Sequence, residues 1–328
     1  MIRPEAFLSL ERSIAATMDA TWAPVARKVH TKVLPILEQG WWDDAHDIAN
    51  RLTLFGVVEN QRKRLEELAV SAFLFGAHHV TGNVGATSFV QRKQEIPYAL
   101  QQALDQLTEM VEAGGGEQVR NQLHALIRDQ ELGVKAERPS LMKADMDLAD
   151  RLNAAVLGTG KSVIDIAANM TTSRLITLGF LSEAMYHKID VYQVNEVLDS
   201  RTCAVCQHMH GKTFNVTYEY HRVLTALSVM DPQQLKSLAP WPKQNRESLE
   251  NLRTMTPEQM QTSGFGSPPF HPMCRGMLAL ADTVTDEITL GRQMVSSLLG
   301  LRQTMHVPDQ PRQTPDIREE FLREPELD

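Results

Sequence analysis

The placement of the cysteines constrains this chain more than any other feature. There are three among 328 residues, and all belong to one pattern. Cys203 and Cys206 lie in DSRTCAVCQHMHGKTF, and Cys274 follows His271 by three in SPPFHPMCRG. Two donors three residues apart on a tight turn can face one ion, with sulfur about 2.3 Å from a zinc. The CxxC…HxxC set, Cys203, Cys206, His271 and Cys274, therefore supplies a complete tetrahedral Cys3His shell. A full shell leaves no open position for water, so the site expected is a structural zinc. Pro268, Pro269 and Pro272 stiffen the second turn and lower the entropy lost when its ligands are fixed.

Other readings of the same residues stay open. A CxxC after a strand is also the pattern of a redox dithiol, although such a site would not predict HPMC downstream. Plain buried thiols or a disulfide are a third possibility, and His208 and His210 are alternatives to His271. Around the first turn, Asp199 is expected to accept amide hydrogen bonds, much as in an Asx turn. Arg275 falls close enough to pair with Asp199, and with Arg201 these residues form the structural support of the site.

The rest of the chain predicts a mainly α protein with a small α+β module. An N-terminal helical domain covers residues 1–135. Leu10, Ile14 and Met18 recur at helical spacing, as do Val25, Val29 and Val33 before Pro35, which is expected to break or kink the run. Leu65, Leu68, Ala72 and Phe75 make another stripe, with Arg62, Lys63, Glu66 and Glu67 opposite. Gly114-Gly115-Gly116 predicts a break between two helices. A joint is expected at Val134 to Ser140, and the module runs over 140–282. Leu141 to Ala155 reads as an amphipathic helix, followed by a helical pair at 162–169 and 172–187. Ile189 to Asp199, Lys212 to Val216 and Gly276 to Leu280 read as strands. The insertion between the knuckles, 218–263, predicts short surface helices. A last helix covers 283–305, and the charged, proline-bearing tail at 306–328 reads as flexible.

Net charge is −8, which argues against the whole chain tracking nucleic-acid phosphates. No segment approaches the roughly 20 apolar residues of a membrane span. Glu5 and Glu11 interrupt what would be the apolar core of a secretory signal. A reducing cytoplasm is therefore the expected site of synthesis, and clustered cysteines there point to metal or redox work.

Three short motifs carry less than they suggest. AVLGTGKS (155–162) is similar to a phosphate loop, but a helix precedes it where the mechanism needs a strand; it reads as a helix–turn–helix joint. His78 and His79 point about 100° apart on a helix, so they read as helix-end polar residues. Trp41 and Trp42 read as an anchor for the following helix, with Asp43, Asp44 and Asp47 favoured by its dipole.

Taken together, V-L-D-S-R-T-C-x-x-C (197–206), H-G-K-x-F (210–214) and P-P-x-H-P-x-C-R (268–275) resemble the phage Mu F-type head morphogenesis, or minor capsid, family. The resemblance covers roughly residues 170–281. It implies a non-enzymatic virion or procapsid component, made in the bacterial host cytoplasm and present in several copies near the portal inside the head. The implied partners are the portal and other head proteins, with packaged DNA met indirectly and no membrane. The family pattern often continues C-R-C; this chain has Gly276 there, which leaves His271 to complete the shell.

Two rival functions are weighed against it. A zinc-ribbon nucleic-acid binder needs basic residues framing the knuckles, and Arg201, Lys212 and Arg275 are offset by Asp199 and Glu219. A toxin-related enzyme needs a catalytic domain after the module, where one helix and a tail are expected.

Overall fold

The computed structural model describes residues 5–84, 96–133, 146–243 and 245–281. The protein is mainly helical, with one small antiparallel sheet and the Cys/His groups beside it. In chain order the helices are α1 (Glu5–Glu38), α2 (Trp42–Arg51), α3 (Arg62–Val84), α4 (Ile96–Thr108) and α5 (Gly116–Glu131). Then come α6 (Leu148–Asn153), α7 (Thr159–Tyr186), β1 (Val191–Asn195), α8 (Ala204–Met209) and β2 (Thr213–Asn215). The last elements are α9 (Val216–Ser228), α10 (Pro232–Leu238), α11 (Arg246–Thr254), α12 (Pro257–Thr262) and β3 (Met277–Leu280). The expected joint at 134–140, the helix at 283–305 and the tail at 306–328 lie outside the described residues.

α7 is the axis of the molecule. Every residue from Ala167 to Leu181 is buried, because α1, α3, α4, α9 and the sheet pack round it. Its tightest partner is α3, and the reason is a reciprocal pair of glycines. A Cβ on Gly76 would lie 1.9 Å from the Ile176 carbonyl oxygen, and one on Gly179 would lie 1.9 Å from that of Phe73. Each helix thus presents bare backbone to the other where they cross. Core residues run continuously from Phe7 to Leu280. α7, which follows the expected joint, packs along helices that precede it.

Several local expectations are corrected. α1 continues through Pro35 to Glu38, and its buried stripe includes Ile14, Met18, Trp22, Ala26, Val33 and Leu37. Val25 is exposed, so the Val25–Val33 spacing does not mark the core face. The three glycines at 114–116 do not break the chain; a π-type turn at Glu109–Gly115 leads directly into α5. A Cβ at Gly115 would lie 2.6 Å from Val163 Cγ1, so close packing against α7 accounts for a glycine there. AVLGTGKS is helical too. A π-type turn at Ala154–Gly158 joins α6 to α7, and Gly160 abuts the indole of Trp22, 2.2 Å from where its Cβ would be. The expected helical pair at 162–187 is the single helix α7. His79 is not at a helix end: it is buried within α3 beside Phe180, ring centroids 5.8 Å apart.

The three strands form where expected, in the order β2–β1–β3. Tyr192 of β1 pairs with Phe214 on one side and Leu280 on the other, and Val194 pairs with Leu278. Tyr192 and Val194 are buried while Val191 is exposed, which is the alternation of a sheet with one face on the core. Tyr192 meets Phe180 of α7 edge-on, and its hydroxyl donates to the Gly266 carbonyl at 3.0 Å. The insertion does form short helices, but α9 is not superficial. It packs on α7 and α4, and the Gln106 side chain donates to the carbonyls of Ala226 and Val229 at its C-terminal end, 2.7 Å each. Among the described residues no helix is long and apolar enough to cross a membrane.

Candidate metal centre

The sheet brings the two knuckles together. The chain leaves β1 through Glu196 and Val197 into a tight turn built on Asp199. The Asp199 carboxylate accepts from the Arg201 amide at 2.9 Å and the Thr202 hydroxyl at 3.1 Å. This turn delivers Cys203 to the N-cap of α8, where its sulfur accepts from the Cys206 amide at 3.4 Å. Cys206 sits within the first turn of that helix. From the other side, the segment before β3 turns at His271–Cys274, with the Cys274 amide donating to the His271 carbonyl at 3.2 Å. Met273 takes a positive φ of 62° to complete the turn.

The sequence-chosen residues converge. Cys206 Sγ lies 3.1 Å from His271 Nε2 and 3.9 Å from Cys274 Sγ. The donor atoms of Cys203, Cys206 and His271 lie within 4.8 Å of one another. Tetrahedral zinc with sulfurs at about 2.3 Å places them about 3.8 Å apart, so the Cys206–Cys274 edge already has the required length. His271 is also oriented for ligation. With its proton on Nδ1, the ring donates to the Pro272 carbonyl at 2.7 Å and turns the Nε2 lone pair toward the sulfurs, as in most histidine metal sites. The residues fit a soft divalent ion, and a zinc held there would tie the two turns together. Cys206 and Cys274 are buried, while Cys203 and His271 are half-buried.

The structure adds a fifth donor that sequence reasoning missed. Glu196 is 1% exposed, and its carboxylate joins Cys206 and Cys274 in a second group of donors within 4.8 Å. Cys274 Sγ lies 3.8 Å from Glu196 Oε1. Burial pushes the Glu196 carboxyl up to about 10, reinforced by the neighbouring Cys274 sulfur. Gly276 makes room for it, since a Cβ there would lie 2.0 Å from Oε1. Only a pairing of Glu196 with a turn some 80 residues on could reveal this, and nothing in the local sequence marks it. Between the two buried thiols, donation from Cys206 holds its own proton on and lowers Cys274 to about 6.

The supporting residues are equally specific in place. Arg275 donates two hydrogen bonds to the Asp199 carboxylate, at 2.6 and 2.5 Å. Arg201 is largely exposed and only reaches Asp199 at 3.7 Å. His210 is turned elsewhere, accepting from the Glu196 amide through Nδ1 at 3.1 Å. Neither His210 nor His208 belongs to the donor groups. The centre is tied to the helices by Asn169 of α7, which donates to the Cys274 carbonyl at 3.4 Å and to Glu11 of α1 at 3.1 Å.

Comparison with protein-family models, curated proteins and solved structures found no match.

Proposed function

We propose that the chain is a minor capsid or head morphogenesis protein of a phage, a non-catalytic component of the virion or procapsid that docks near the portal inside the head. The observation that carries this reading is the meeting of three separated motif segments in one module. Residues 197–206, 210–214 and 268–275 are those that resemble the Mu F-type pattern, and they line one small clasp. A docking protein needs a rigid surface that survives assembly and DNA packaging. The clasp, anchored through Asn169 to α1 and α7, would provide one.

Within this reading the clasp holds a structural zinc on Cys203, Cys206, His271 and Cys274, with Glu196 as a buried carboxylate beside it. Zinc would neutralise the thiolates and fix the two turns, replacing the apolar burial that so small a sheet cannot supply alone. Portal and other head proteins are the partners, and synthesis takes place in the host cytoplasm.

The test is quantitative mass spectrometry of intact particles and procapsids from the source phage or prophage, with the portal protein as internal standard. A few to a few dozen copies per particle is the expected result. Absence from both kinds of particle would remove the virion role, and a salt-dependent DNA-binding measurement would then become the next experiment.

A further inference from the structure

Between α7, α9 and the loop that leads into the second knuckle, two arginines share a small cavity. Arg174 is 7% exposed, and among the described residues its side-chain hydrogen bond goes to a neutral group, the Gln106 oxygen at 2.8 Å. Among the described residues, no carboxylate forms a hydrogen bond or ion pair with it. The nearest charged influence is a second guanidinium, Arg222, and burial together with that like charge lowers Arg174 to about 10.

Arg222 is in the opposite condition. It is paired with Glu219 at 3.0 Å through Nε, donates to the Leu238 carbonyl at 2.5 Å, and donates to Ser267 Oγ at 3.1 Å. The Glu219 charge is thus spent on Arg222, and the pocket keeps the positive charge of Arg174 uncompensated. An isolated buried ion is strongly unfavourable unless something pairs with it.

The cavity beside these groups is lined by Arg174, Thr177, Arg222, Ser267 and the rings of Pro240 and Pro268. Its volume is about 20 Å³, on a scale where one water needs about 10–15 Å³. The side-chain polar groups on its wall can donate. Arg174 has further N–H groups, and Ser267, which accepts from Arg222, keeps its own hydroxyl proton to give. A pocket the size of a single small ion, with the donors of Arg174 and Ser267 on an otherwise largely apolar wall and one unpaired positive charge, has the chemistry of an anion site.

We propose that this cavity binds one small inorganic anion of chloride size, held by Arg174 and Ser267 between α7, α9 and the proline loop at 268–269. The anion supplies the charge that Glu219 gives to Arg222, and it joins the insertion helices to the central helix. The site shares the loop at 267–269 with the clasp but uses none of the clasp's Cys, His or Glu donors.

The experiment follows thermal unfolding of the full chain while sodium chloride replaces sodium gluconate at constant ionic strength, so that screening is held fixed. The midpoint of the wild-type protein is expected to rise with chloride and then saturate, as mass action requires of a single site. Arg174→Met is expected to show a flat response. An equal response in the two proteins, or none in the wild type, overturns the proposal. Should Arg174→Met fail to fold, crystals of the unmodified protein soaked in bromide decide the matter. An anomalous peak within hydrogen-bonding reach of the Arg174 guanidinium is expected, and its absence refutes the site.

Discussion

Arg275 grips Asp199 through both terminal nitrogens of its guanidinium, at 2.6 and 2.5 Å, across 76 residues of sequence. Asp199 shapes the turn that presents Cys203, and Arg275 follows Cys274 directly. The pair is therefore a brace between the two knuckles, independent of any metal. Arg275 holds the Asp199 carboxyl well below the ordinary carboxylate range, so the brace stays charged across the physiological range. Asp199→Ala is expected to speed zinc loss to a chelator several-fold. Arg275→Lys keeps the charge but not the planar fork, and it should give most of the same effect. Unchanged release kinetics in both variants would leave the brace without a role.

The donor set predicts about one zinc per chain in protein kept reduced throughout purification. Cys274→Ser should weaken zinc binding by more than about 100-fold, since even residues behind the ligands contribute about 10–100-fold. Hydrogen exchange in the chelated protein should increase over 199–210 and 268–280 while the α3–α7 contact stays protected. Metal analysis finding no zinc in reduced protein would dismiss the centre.

The glycine crossing of α3 and α7 makes a prediction whose sign is opposite to helix propensity. Alanine is favoured over glycine within a helix by about 1 kcal/mol. At Gly76 or Gly179, though, the added methyl would sit 1.9 Å from a backbone carbonyl oxygen of the facing helix. Two packed backbones cannot yield as a flexible side chain can, so overpacking should win. Gly179→Ala is expected to cost about 3 kcal/mol or more in urea unfolding, and Gly76→Ala a similar amount. Neutral or stabilising values would show that the helices can separate cheaply.

His79 gives the fold a pH dependence of its own. Burial lowers its pKa from 6.5 to about 4. Below pH 6.5 the unfolded chain takes up a proton that the folded one refuses until about pH 4, so stability must fall as pH drops through that window. The slope approaches about 1.4 kcal/mol per pH unit, reaching about 3 kcal/mol in all. His79→Gln should remove this slope, measured as the difference between wild type and variant so that protonation of the Cys/His cluster cancels. Parallel curves would assign the acid sensitivity elsewhere.

At Gly276 an added methyl would fall 2.0 Å from the Glu196 carboxylate. Gly276→Ala should expel that buried carboxylate and disturb Cys206 and Cys274 with it. The expected readout is a changed absorption spectrum of the cobalt-substituted protein, because the bands of a cobalt–thiolate centre follow its geometry. An unaltered spectrum would place Glu196 outside the metal's influence.

Much of this architecture can be read along the chain. The helical stripes, the three strands and the four Cys/His donors follow from spacing and residue chemistry within a few neighbours, and those are local properties. The same reasoning failed wherever the deciding neighbour was distant. Gly115 and Gly160 read as breaks because glycine is flexible, yet they are helical because Val163 and Trp22 leave no space for a side chain. Val25 shares a period with Val33, but the groove α1 occupies buries a different stripe. α7 carries Asn169, Thr172 and Arg174 and so does not look like a core helix, although its stretch from Ala167 to Leu181 is buried throughout.

The sequence by itself determined the four Cys/His donors, the three strands and the mainly helical character of the chain, since backbone preference and donor chemistry belong to each residue and its near neighbours. Only the tertiary structure decided that Glu196 stands beside Cys274, that Arg275 meets Asp199, and that Arg174 hydrogen-bonds the neutral Gln106. Each of those depends on how segments remote in sequence share a small volume, and packing rather than local preference sets that arrangement.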